Sequence, residues 1–182
     1  MIFDSSTLRP LLATYNNGGN LYDSLQWGPD ASTLYAIDNE LDFDFFALKV
    51  NASGVVLDQL YAGLFTGFRA RIHFDPGTKL LYGDYGEAVD PVTALPEGNF
   101  FATGRMVPDS KLNRAYLIMG TSIPSTFIIK AFDLAHFNLV DSIKIDNING
   151  YPHRLIRWGT NELAFTTNQE SQVYLGGGNI VH

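Results

Sequence analysis

A short unit of strand, tight turn and strand comes back four times along this chain, and it constrains the fold more than any other feature. Its copies are Leu25-Gln26-Trp27-Gly28-Pro29-Asp30-Ala31-Ser32-Thr33-Leu34-Tyr35-Ala36, Ile72-His73-Phe74-Asp75-Pro76-Gly77-Thr78-Lys79-Leu80-Leu81-Tyr82-Gly83, Met106-Val107-Pro108-Asp109-Ser110-Lys111-Leu112-Asn113-Arg114-Ala115-Tyr116 and Leu155-Ile156-Arg157-Trp158-Gly159-Thr160-Asn161-Glu162-Leu163-Ala164-Phe165. Each turns on Pro-Asp, Pro-Gly or Gly-Thr-Asn, residues that preset φ or tolerate the conformations a tight turn needs. Each also carries an aromatic on its second strand. Those aromatics, Tyr35, Tyr82, Tyr116 and Phe165, are 47, 34 and 49 residues apart. Self-similarity at such a period marks an array in which every copy buries its faces against its neighbours.

Two further strands follow the unit in its better-preserved copies. After Tyr35 come Phe45–Val50, the turn Asn51-Ala52-Ser53-Gly54 and Val55–Leu60; after Tyr116 come Phe127–Phe132, a turn at Asp133–His136 and Phe137–Ile145. Ser32–Ile37, Leu80–Gly83, Arg114–Ile118 and Leu163–Thr167 also read as strands. Helical periodicity is almost absent, and the best helix candidate, Leu60–Phe65, lies among glycines and reads as loop. Four antiparallel strands per unit predict an all-β β-propeller of about four four-stranded blades in one domain. The expected blades are 1–23 (outer strands only), 24–68, 69–103, 104–150 and 151–182. A two-layer sandwich is the competing arrangement of the same strands.

Composition closes several functional classes. Apolar residues make up 46% of the 182 and charged residues 17%, which excludes a disordered polyelectrolyte. Twelve Lys and Arg against nineteen Asp and Glu give a net charge of −7, so neither nucleic acid nor an anionic membrane is an expected partner. Without cysteine there are no disulfides, thiolate metal sites or cysteine nucleophiles. Met1-Ile2-Phe3-Asp4 lacks the basic start of an export signal, and apolar runs such as Phe127–Phe132 are too short to span a bilayer. There is no Gly-x-Ser-x-Gly elbow, no phosphate-cradling Gly-Lys-Ser/Thr loop and no His-Glu-x-x-His, and Gly176–Gly178 opens no helix.

Trp27-Gly28-Pro29-Asp30-Ala31-Ser32-Thr33-Leu34-Tyr35, Ala131-Phe132-Asp133-Leu134 with Phe137-Asn138-Leu139-Val140, and Arg154-Leu155-Ile156-Arg157-Trp158-Gly159 resemble one bacterial group. It comprises secreted or cell-surface repeat proteins with YVTN-type, quinoprotein-dehydrogenase-like seven-bladed propellers. The resemblance covers nearly the whole chain and follows the C-terminal half of such a ring to Gln172-Val173-Tyr174-Leu175. It implies a fold and a surface setting, but no reaction. A seven-bladed ring at about 40–45 residues per blade needs roughly 300 residues, so half a ring is expected here, with unpaired edges that invite association. The expected remedy is that N-terminal strands complete the last blade. Blades wedged for a larger circle favour exchange between two chains in a homodimer over closure of one chain on itself.

In a propeller, ligands meet the loops that lead into each innermost strand and those that leave the second strand. That placement picks out Asp38, Asn39 and Glu40, then Asp84 and Glu87, then Tyr151, His153 and Arg154, with Arg69, Arg71 and His73 on or before the second inner strand. Asp38, Asn39, Asp84 and His153 are the metal-ligand candidates, suited to Ca²⁺ through oxygens or to a transition metal where His153 joins. With Arg71 stabilising an anion and His153 taking part in catalysis, they describe a hydrolase of esters, lactones or phosphotriesters. Bland roles explain the same residues: His153 as a hydrogen-bonded strand residue, His73 half-buried between blades, His136 facing solvent in a hairpin turn, the 38–44 acidic run as a solvated loop. Trp27 and Trp158, at equivalent positions, are expected to pack between blades. The leading expectation is therefore a non-catalytic module offering a rigid face to a protein or glycan partner, with the metal-dependent hydrolase as the alternative.

Overall fold

The computed structural model describes residues 22–40, 42–121 and 125–168, together with the backbone of short strands at 2–3, 8–9 and 173–176. Among the described residues there is no helix. β1 (Ile2–Phe3) and β2 (Leu8–Arg9) pair with each other. β3 (Ser24–Trp27), β4 (Thr33–Ile37), β5 (Asp44–Asn51) and β6 (Gly54–Ala62) form an antiparallel sheet in chain order. A second four-stranded sheet follows the same order with β7 (Ile72–Asp75), β8 (Leu80–Gly83), β9 (Glu87–Asp90) and β10 (Leu95–Asn99). The third is the antiparallel set β11 (Arg105–Asp109), β12 (Arg114–Gly120), β13 (Thr126–Asp133) and β14 (Leu139–Asp146). β15 (Pro152–Trp158), β16 (Glu162–Thr167) and β17 (Val173–Gly176) make a three-stranded sheet.

The chain forms two compact units, one of residues 1–83 with 89–97 and the other of residues 84–88 with 98–182. In the first, the middle strands are apolar on both faces because both faces are covered. Tyr35, Ile37, Phe45 and Ala47 point to one side and pack with Phe65, Ala70, Ile72, Leu81 and Val89. Leu34, Ala36, Phe46, Leu48 and Val50 point to the other, where Tyr22 meets Phe46 edge-on at 5.0 Å. In the second unit, Tyr116, Ile118, Phe127, Ile129 and Ala131 pack against Ile148, Leu155, Leu163 and Phe165, so one sheet lies face to face on the next. Within each unit the first strands of successive sheets are neighbours, β3 beside β7 and β11 beside β15. The fourth strands are the exposed ones, and β14 has no buried residue.

The inner hairpins owe their shape to the repeated turn chemistry. Asp30 accepts from the amide and hydroxyl of Ser32 (2.8 and 2.7 Å), and Asp75 from those of Thr78 (2.9 and 3.0 Å). Gly28 is required by contact rather than by conformation: a Cβ there would stand 2.9 Å from the Tyr35 ring. Burial pushes the Tyr82 hydroxyl up to about 12, partly offset by its hydrogen bond with Thr78 and reinforced by Asp75. Two expectations differ from the structure. Leu60–Phe65 begins inside β6, which runs on to Ala62 before the loop starts. Trp27 and Trp158 close β3 and β15 but remain about half exposed, at 44% and 52%, because each stands at a strand end beside a turn rather than between sheets.

Candidate crossover loops

The loop that leaves each outermost strand for the next innermost strand is tied to the loop between the second and third strands of the sheet it leaves. This happens three times, with three sets of residues. In the first unit, the 63–71 crossover is held by the β4–β5 loop: the Gly63 amide donates to the Phe43 carbonyl (3.2 Å) and the Arg69 amide to the Asn39 carbonyl (3.3 Å). The Asn39 side-chain amide donates to the Ala70 carbonyl, and its backbone amide donates to Asp23 (3.0 Å). Asn39 is buried, yet its Oδ1 has no hydrogen-bond partner.

In the second unit a carboxylate does the corresponding work. Asp84, also buried, accepts from the Arg105 guanidinium at 2.6 Å and from the Met106 amide at 3.0 Å, while its carbonyl accepts from the Gly104 amide at 2.8 Å. Phe100 donates to the Gly86 carbonyl (2.9 Å) and buries its ring against Phe132 and Phe137, at 5.2 and 5.1 Å. Gly98 is confined to glycine by that same cluster, since a Cβ would meet the Phe137 ring at 2.2 Å. The third crossover, 147–151, is held on two sides. Ile148 donates to the Ser125 carbonyl (3.1 Å) and the Ser125 hydroxyl to Asn149 (3.1 Å), while Tyr151 and Asn168 exchange hydrogen bonds at 2.8 and 3.1 Å.

The candidate site residues fall on this framework as follows. Asp38 and Asn39 belong to the first unit; Asp84 and His153 belong to the second. Asp38 is buried and accepts from the Glu40 amide at 3.0 Å. His153 is exposed on β15, and Arg71 is half-buried just before β7. Among the described residues no group of three or more His, Asp or Glu side chains is placed to hold a metal ion. The carboxylates of the 38–44 run do sense one another: burial, then Asp42 and Asp38, raises Asp44 above the ordinary carboxylate range. Glu40 lies 3.7 Å from Arg69.

Sequence reasoning picked out Tyr151 but missed two equivalent exposed rings. Each crossover projects one aromatic ring: Phe68 is 56% exposed, Phe101 92% and Tyr151 73%. The signal was present, since each ring lies four or five residues ahead of the matching unit residue, Ile72, Met106 or Leu155.

One solved structure of similar fold is hydrazine synthase from Kuenenia stuttgartiensis, a propeller-containing protein. It superposes with a TM-score of 0.58 at 13% identity, over 81% of this chain and 44% of that one. No family model matches the chain, and no curated protein matches it. At that identity the likeness extends to fold alone, and the fold is all-β and propeller-like.

Proposed function

We propose that this chain is a non-catalytic propeller module of the YVTN-like kind, presenting its crossover loops as a rigid binding surface on each unit to a protein or glycan partner. One observation carries the reading: the polar residues a catalytic site would draw on are engaged in holding loops. Asp84 is bound by Arg105 and the Met106 amide, and Asn39 bridges to Ala70 and Asp23. The metal-ligand candidates Asp38, Asn39, Asp84 and His153 are divided between the two units, and of these Asp84 already has both carboxylate oxygens occupied. The set therefore fits a metal poorly, and no chemical step is assigned to it. Elemental analysis of the purified protein, followed by an ester, lactone and phosphotriester panel with and without chelator, tests the reading. A metal-free, inert protein is expected. Stoichiometric metal with chelator-sensitive turnover overturns it.

The hydrolase alternative keeps one observation in its favour, the unpartnered Asn39 Oδ1 beside a run of mutually repelling carboxylates. We also propose that N-terminal strands add to the last sheet by exchange in a homodimer, since among the described residues that sheet has three strands where each of the three sheets before it has four. Light scattering at low concentration is expected to give a dimer, and a stable folded monomer removes the exchange.

A further inference from the structure

Phe101 costs the fold twice. Its ring is almost fully in water, and its backbone sits at φ 50°, a left-handed conformation that a bulky residue adopts at a penalty and that Asn or Gly adopts readily. Strain of this kind persists where surroundings over-determine it, and it gathers at functional positions. Here the surroundings are plain: Phe100 is anchored in the core, and the Phe101 amide donates to the Asn99 side chain at 2.6 Å. Tyr151 is presented just as firmly, with its amide and carbonyl both bound by Asn168 and with Pro152 following.

Both rings belong to the second unit and stand at the same end of it. Arg157, near the end of β15, pairs with Asp109, at the end of β11, at 2.7 Å. The two strands therefore run side by side in one direction, and the loops that lead into them share an end. In sequence the rings are set among small or polar residues, Ala102, Thr103 and Gly104 in one loop and Gly150, Pro152 and His153 in the other. Large contiguous apolar patches mark protein and membrane contact sites, and the sequence of neither loop supplies such a run. The charge argues against a polyanion, because Arg105 is neutralised by Asp84 and the chain carries −7 overall. In the first unit Phe68 repeats the pattern, with the Arg69 guanidinium 5.0 Å over its ring.

We propose, resting on the binding-module reading, that Phe101 and Tyr151 are stacking platforms for an uncharged linear polysaccharide, each taking the apolar face of a sugar ring. The test titrates the full chain with hexamers of β-1,4-glucan, β-1,3-glucan and chitin, and with alginate as the polyanion, by calorimetry and saturation-transfer NMR. At least one uncharged hexamer is expected to bind saturably, with alginate weaker. F101N and Y151S are each expected to weaken binding roughly tenfold, the size of one lost aromatic contact, and the double variant to abolish it. F101N is expected to melt above the parent protein, which separates loss of binding from loss of fold. Binding that survives in the double variant, a preference for alginate, or no binding of any uncharged hexamer overturns the proposal. In that last case a metal-free, inert protein leaves the module reading standing. Cleavage of a bound hexamer would keep the stacking face and overturn the non-catalytic reading instead.

Discussion

The two units solve the same two problems with different chemistry. Where a crossover loop must be pinned, the first unit uses a neutral amide, Asn39, with one oxygen left over, and the second uses a carboxylate, Asp84, with both oxygens engaged. Where the inner strands of successive sheets meet, the first unit packs Tyr35 on Phe74 at 5.8 Å. The second sets Arg157 over the Tyr116 ring at 5.5 Å, paired with Asp109 and donating to the carbonyls of Glu162 (3.0 Å) and Thr160 (2.6 Å). The repeat thus preserves backbone geometry, turn chemistry and the position of the contact, while the contact itself is free to be apolar or ionic.

The pinning residues give the widest separation. D84A leaves the Met106 amide and the half-buried Arg105 guanidinium without their acceptor, and is expected to cost about 3 kcal/mol, at the lower end for a broken buried pair. N39A removes one useful hydrogen bond together with an unsatisfied oxygen, and is expected to cost about 1 kcal/mol or less. Urea denaturation of both variants measures the difference, and equal losses would show that charge confers no advantage on the second unit.

Next in size is the contact between inner strands. R157L strips Asp109, itself only 11% exposed, of its cation, and about 2–3 kcal/mol is expected to go. F74A is expected to cost a comparable or slightly smaller amount, about 2 kcal/mol, by loss of partly buried ring contacts. A D109N background separates them: the R157L loss is expected to shrink there, and the F74A loss to stay constant. An R157L loss unchanged in that background would mean that its aliphatic stem and cation–π contact outweigh the ion pair.

Alkaline pH distinguishes the units by their buried hydroxyls. Tyr82 in the first unit is fully buried, and its ionisation is pushed up to about 12 by that burial. The unfolded chain loses this proton near 10 while the folded chain keeps it, so the unfolded state holds fewer protons between those values. Stability is then fully present below pH 10 and falls as pH rises through 12, by on the order of 2 kcal/mol. Y82F removes the titration, and its stability curve is expected to lie flatter than the parent's from pH 9.5 upward. Parallel curves would assign the alkaline loss to other tyrosines, such as Tyr116 in the second unit, which burial also raises.

Much of this fold was legible wherever a strand is buried on both faces. Leu80–Gly83 coincides with β8, and Phe45–Val50 and Phe127–Phe132 fall one residue short of β5 and β13 at each end. These strands read as apolar runs because water is excluded from both sides. Legibility failed at the outer strands of the second sheet. Glu87–Asp90 and Leu95–Asn99 carry Glu, Asp, Pro and Gly, residues poor in strand preference that a peripheral strand can hold through backbone hydrogen bonds alone. The candidate site residues were chosen by their place in the repeat, and the partners of Asp84 and Asn39 depend on contacts 21 and 31 residues away along the chain. No spacing rule contains such contacts. Phe68 and Phe101 escaped because apolar residues in loops are so often core.

The smallest effect bears on the unpartnered oxygen of the first unit. Asp44 has its ionisation raised by burial and then by the charges of Asp42 and Asp38. The folded state therefore holds this proton more tightly than the unfolded state does. The stabilising influence is present below the ordinary carboxylate value and is lost as pH rises through the raised one, leaving Asp44 a small liability at neutral pH. D44N is expected to stabilise the protein at pH 7 by less than about 0.5 kcal/mol, since the group is only partly buried, and to make no difference at pH 3. Calcium reverses the comparison if the loop is a cation site. The parent protein would then gain melting temperature on adding the ion and D44N would not, because the charge that burdens the empty loop is the charge that would bind. Equal, calcium-independent melting in both proteins would make the 38–44 run a solvated loop and leave the two units differing only in how they are pinned.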